Sequence, residues 1–230
     1  MKWPVKVVII DSGVHATHPH VNGVIGGIGI DGSGGPHPDF VDRLGHGTAV
    51  AAVIREKAPA AELLVAKVFD RELTTSGAAL VAGCEWALEQ HADIVNLSLG
   101  TVNGQHADSL TSVAAILRES GGVVVAAGAQ DGRSWLPGTL PGVWSVTLDW
   151  SVPRDSCRVI AIDGGDVSFA ASGFPRPIPG VPPERNLKGL SFAVANVTGL
   201  LAALFAREDH GDPFVNVSRA VASGWMAGIN

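Results

Sequence analysis

The chain has 230 residues, 46% hydrophobic and 17% charged, with a formal net charge of −6 at pH 7. That length suffices for one domain with a sizeable core, taken as residues 1–230. The acidic balance leaves no basic patch to neutralise phosphates, so nucleic acid is not the expected partner, and an anionic membrane surface is disfavoured too.

In chain order, residues 5–10 form an apolar, β-branched run ended by Asp11-Ser12-Gly13, which predicts a buried strand entering a turn. Residues 22–45, rich in Gly, Pro and Asp, read as loop with room for one short strand. A buried helix is expected over 46–55 and a strand over 62–69. Ser76 is a suitable N-cap for a helix over 77–90, and 94–97 is a short buried strand. A helix over 107–119 stops at Gly121-Gly122, and a Val/Ala strand follows over 123–127. Short strands are expected at 142–148, 159–162 and 167–170, an irregular Pro-rich stretch at 173–188, and a helix over 192–205. Strands alternating with helices imply an α/β fold, a parallel sheet covered on both faces.

Such a sheet presents functional groups at the carboxyl ends of its strands. Three segments put a candidate group at such a joint or at a helix start. Asp11 follows a buried strand, where a fixed carboxylate can orient an imidazole, although strand-end Asp residues are also ordinary turn formers. His46 lies between two glycines at the start of an apolar helix, or is simply a loop histidine. Ser191 opens the last predicted helix, where it can act as an N-cap or as a nucleophile beside amides that favour an oxyanion. The order Asp, His, Ser along the chain is the one the subtilisins use.

The chain resembles the subtilisin family along nearly its whole length. Ile10-Asp11-Ser12-Gly13-Val14 with His18-Pro19 is similar to the family's Asp motif. Gly45-His46-Gly47-Thr48-Ala49-Val50-Ala51 is similar to its His motif, and Gly189-Leu190-Ser191-Phe192-Ala193 to its Ser motif. Ala66-Lys67-Val68-Phe69, Cys84-Glu85-Trp86-Ala87, the run from Asp93 to Gly100, and the segment from Val124 to Gly132 resemble further family elements, as do Leu136-Pro137 and Leu140-Pro141.

The resemblance implies a three-layer α/β/α subtilisin-like fold with a mainly parallel central sheet. It implies a serine endopeptidase acting on a peptide or protein; of this chain itself neither a cofactor nor a metal is expected. Ser191 would be the nucleophile, His46 the general base and acid, and Asp11 the group that holds His46. Ser98, Leu99 and Gly100 with Ala127, Gly128 and Ala129 would line the substrate pocket, an extended peptide adding as a strand.

The departures from the pattern are specific. Gln130 stands where the family has an oxyanion Asn, and is expected to donate in its place. Ala49 and Ala195 replace a usual His and a usual Pro. The stretch from His46 to Lys67 lacks the oxygen-rich insert that holds a tight calcium ion in many relatives, so no such site is expected. His15, His18 and His20, near Asp31, His37 and Asp39, could hold a metal, but read rather as a polar surface loop. Asp131 at the pocket rim would favour a basic residue before the cut, and the six tryptophans read as core or rim.

Two cysteines, Cys84 and Cys157, cannot staple a chain of this length, and Cys84 reads as core. No leader or apolar span is recognisable at the start, so the expected location is the cytoplasm, unless a leader has been trimmed. Rival readings are a peptide-binding pseudoprotease and a transpeptidase or macrocyclase. A nucleotide-binding protein is disfavoured, because no Gly-rich phosphate loop follows the first strand.

Overall fold

The computed structural model describes residues 4–130, 132–208, 211–224 and 226. Its strands are β1 (Lys6–Asp11), β2 (Gly26–Ile30), β3 (Pro36–His37), β4 (Glu62–Lys67), β5 (Ile94–Leu97), β6 (Val123–Ala127), β7 (Val143–Leu148), β8 (Cys157–Asp163) and β9 (Asp166–Ala171). Its α-helices are α1 (His46–Lys57), α2 (Gly77–Glu89), α3 (Ala107–Glu119), α4 (Leu190–Arg207) and α5 (Pro213–Ala222).

All nine strands form one sheet in the order β3-β2-β4-β1-β5-β6-β7-β9-β8. The inner pairs are parallel. Only the two edge pairs, β2 with β3 and β8 with β9, are antiparallel. β1 sits in the middle, between β4 and β5, which is why its sequence is apolar on both faces.

Alternation along β1 divides the core in two. Val7 and Ile9 face one side, with Val50, Val53 and Ile54 of α1 and Val194, Val197 and Leu201 of α4. Val8 and Ile10 face the other, with Leu80 and Cys84 of α2 and Leu110 and Leu117 of α3. Burying each such Val, Leu or Ile contributes about 1.5–3 kcal/mol, so the two opposed layers hold the sheet between them.

The three-layer architecture is the one expected, with two corrections. The loop-rich stretch over 22–45 contains two strands rather than one, because Gly26–Ile30 extends the parallel ladder beside β4. A fifth helix, Pro213–Ala222, was not anticipated. Its signal was present: Asp212 caps it by accepting from Val215 N, and Pro213 stands at its first turn.

α4 is, among the described residues, the one helix long and apolar enough to cross a membrane, but 67% of it is buried, so here it serves as a core helix. Of the tryptophans, Trp144 is buried and Trp150 is half exposed against Phe174, while Trp3 and Trp225 lie outside the described residues.

Both cysteines are free and buried. Burial pushes both thiols up to about 12, Glu85 adding to the effect at Cys84. Neither is expected to react with iodoacetamide at pH 8 in the native protein, and both should react once urea unfolds it. Mass spectrometry of the alkylated chain reads this directly, and rapid native labelling would contradict the buried placement.

Candidate active site

Asp11 is the last residue of β1 and is fully buried. Its Oδ1 accepts from its neighbour Ser12 N at 2.7 Å and from His46 Nδ1, also at 2.7 Å. A carboxylate can only accept here, so Nδ1 carries the proton and Nε2 is left as the base. The second oxygen, Asp11 Oδ2, is buried with no partner among the described residues. Its charge is therefore poorly dispersed and acts on the imidazole.

His46 is the first residue of α1, and Gly45 caps that helix. The Gly that follows has a steric reason. A Cβ on Gly47 would lie 2.2 Å from Gly13 O and 3.3 Å from Asp11 Cβ, so only a bare backbone allows α1 to start against the end of β1. Phe192 packs its ring against His46 at 5.5 Å between centroids.

Burial acts to lower the pKa of His46. The hydrogen bond and charge of Asp11, with the charge of Asp42, outweigh it, and the imidazole sits above its ordinary 6.5.

Ser191 lies in the first turn of α4. The preceding Gly189, at φ 147° and ψ −172°, adopts a backbone open to glycine that turns the chain sharply into the helix. The first amides of a helix have no intrahelical acceptor and carry the positive end of its dipole. Ser191 Oγ donates to Ser98 O at 2.8 Å, so in this state its hydroxyl is turned to the end of β5 rather than to His46. Beneath it runs a buried polar chain. Thr198 Oγ1 donates to Asn96 Oδ1 at 2.9 Å, and Asn96 Nδ2 donates to Ser98 Oγ at 2.7 Å.

His46 and Ser191 open onto one cavity of about 550 Å3. Ser98, Leu99, Gly100 and Ala127 line it, as does Gln130. Gly128 is buried just beyond Ala127 and Ala129 is exposed, so these two continue the segment rather than line that cavity. Gln130 pairs its backbone with Arg133 at 2.9 Å in both directions, which pins the turn that carries it. Asp131 lies outside the described residues.

Four further residues contribute beyond those singled out from the sequence. Asp42 is buried and accepts five hydrogen bonds, and its signal was an acid four residues before His46. Asn96 and Thr198, on β5 and α4, become partners only on folding. Trp135 lines the cavity against Gly100, where an added Cβ would meet its Cβ at 2.8 Å.

No group of three or more His, Cys, Asp or Glu arranged for a metal occurs among the described residues, including the histidines at 15, 18 and 20. α1 runs without interruption to Lys57, and Ala58 to Ala61 lead straight into β4.

The model of the Subtilase family of peptidases matches residues 4–166. The chain belongs to the subtilase family. The matched span holds Asp11 and His46, while the place of Ser191 rests on the geometry above. This subtilase is 29% identical over 209 residues to subtilisin E of Bacillus subtilis (strain 168), covering 85% of this chain and 52% of that one. It is 30% identical over 224 residues to the thermostable alkaline protease of Halalkalibacterium halodurans, covering 88% and 57%. It is 30% identical over 227 residues to subtilisin DY of Bacillus licheniformis, covering 88% and 77%. The subtilase thus spans about half the length of the first two of these relatives. In fold it is similar to the prenylagaramide maturation protease PagA, with a TM-score of 0.69, 24% identity, and coverage of 96% of this chain and 83% of that one.

Because the folded protein favours the imidazolium of His46, that group adds stability that is full below pH 6.5 and is lost as pH rises through its higher folded value. The stability difference between wild type and His46→Gln in urea unfolding is expected to be largest in acid and to shrink across that window. A difference that grows with pH would contradict the assignment.

Proposed function

We propose that the chain is a serine endopeptidase that cleaves peptide bonds through an acyl-enzyme on Ser191, processing a specific peptide or protein. The observation that carries this is the 2.7 Å bond between His46 Nδ1 and Asp11 Oδ1, in a cavity that Ser191 shares. Family membership supports the same chemistry.

In this reading, a substrate carbonyl enters the cavity and the Ser191 hydroxyl leaves Ser98 O for His46 Nε2. Oγ attacks the carbonyl carbon while Nε2 takes its proton, and Asp11 stabilises the imidazolium. Collapse of the tetrahedral adduct breaks the C–N bond, and His46 gives its proton to the leaving amine. His46 then deprotonates a water that attacks the ester carbonyl; the C–Oγ bond breaks, the acid leaves, and His46 returns the proton to Ser191 Oγ. The first-turn amides of α4 and the Gln130 side chain serve the oxyanion.

Among the described residues the cavity lining carries no Asp, Glu, Lys or Arg. That favours neutral side chains near the cut, and the basic preference drawn from Asp131 is not part of this reading. The similar solved structure is named as a maturation protease, which accords with a dedicated processing role.

A second reading, a peptide-binding module without turnover, draws on the contact of Ser191 Oγ with Ser98 O. A fluorophosphonate probe separates the two. Labelling that disappears in Ser191→Ala supports the peptidase, whereas no labelling of folded wild type supports the binding module. On peptide substrates, Gln130→Ala is expected to lower kcat by about 10²–10³-fold. An unchanged kcat would remove Gln130 from the oxyanion site. Mass spectrometry of the products shows whether water or an amine takes the acyl group.

A further inference from the structure

Asp42 lies in the loop before α1, and it is 2% exposed. Its Oδ1 accepts from Ser12 Oγ at 2.9 Å, Leu44 N at 2.9 Å and Gly45 N at 2.8 Å. Its Oδ2 accepts from Thr48 N at 2.9 Å and from Thr48 Oγ1 at 2.6 Å. A buried carboxylate persists as an ion only with such a set of donors. Desolvation raises its pKa, but these bonds outweigh it and hold the carboxyl below its ordinary range.

The donors point in two directions. Ser12 follows Asp11 at the end of β1, and its Oγ accepts in turn from Gly47 N at 2.9 Å. Leu44, Gly45 and Thr48 bracket His46. Gly45, the cap of α1, has no side chain with which to satisfy the first amides of the helix, and Asp42 does so from three residues upstream. One carboxylate therefore clamps the strand end that carries Asp11 to the helix start that carries His46.

We propose that Asp42 is a positioning residue for the reaction, fixing His46 against Asp11 and adding a second negative charge near the start of α1. The groups facing His46 are few. β1 presents Asp11, the loop before α1 presents Asp42, and α4 presents the neutral Phe192. Burial disfavours the imidazolium, and the two acids together overcome it. Asp42 touches neither the imidazole nor the cavity lining, so it acts through Ser12 and the first turn of α1.

The kinetic part of this proposal rests on the peptidase reading, but the titration part does not. Asp42→Asn removes the charge and turns an amide hydrogen toward groups that are themselves donors. The His46 ring, followed by NMR, is expected to titrate at a lower pH than in wild type. The acid limb of kcat/KM should move in the same direction. Kcat is expected to fall by about 10–100-fold with little change in KM, as for a misplaced reacting group.

Ser12→Ala and Thr48→Val each remove one strap and keep the charge. They should lower kcat while moving the His46 titration less, and they carry the test if Asp42→Asn does not fold. A His46 titration curve in Asp42→Asn that superimposes on wild type would overturn the charge role. Unchanged kcat in both strap variants would overturn the positioning role. If the His46 titration moves but wild type takes no fluorophosphonate, the peptidase reading fails and the clamp stands.

Discussion

The bond from His46 Nδ1 to Asp11 Oδ1 joins the end of the central strand to the start of a helix thirty-five residues later. It decides which nitrogen holds the proton and which is left free, and with the charges of Asp11 and Asp42 it outweighs the effect of burial on the imidazole. Everything around it is arranged for that approach. Gly47 omits a side chain so that two backbones can meet, and Asp42 satisfies the amides that the junction exposes.

The sheet explains why the approach is possible. β1 lies inside the sheet, between β4 and β5, with both faces covered, so the position of its carboxyl end is fixed. The ladder of β1 with β5 ends at Ile10 opposite Leu97, and Asp11 and Ser98 are the next residues of the two segments. α4 crosses the same face as α1 and delivers Ser191 to that edge. The polar chain from Thr198 through Asn96 to Ser98 then links the helix that carries Ser191 to the strand end that receives its hydroxyl.

Much of this was legible from local pattern. Val7 to Ile10, Leu63 to Ala66 and Val123 to Ala127 are apolar runs that only a doubly covered strand explains. Ser76 caps α2 as expected, accepting from Ala79 N. The stretch over 22–45 was less legible, because Gly26 to Ile30 carries three glycines and is a strand only through its pairing with β4 and β3. α5 was overlooked although Asp212-Pro213 announces it, since its apolar face is short and gains meaning only against α4 and the core.

By itself the sequence determined the alternation of strands and helices, and with it the layers, because hydrophobic period and turn chemistry are local properties of the chain. It also determined which residue types stood ready: a carboxylate, an imidazole and a hydroxyl, each within two residues of a glycine. Only the tertiary structure decided which acids matter and where the serine points. Asp42 is one of several acids in a loop until folding surrounds it with five donors. Ser191 Oγ donates to Ser98 O, 93 residues away in the chain, a partner that only folding supplies. Such partners lie up to 102 residues apart, and no local pattern encodes a distance between them.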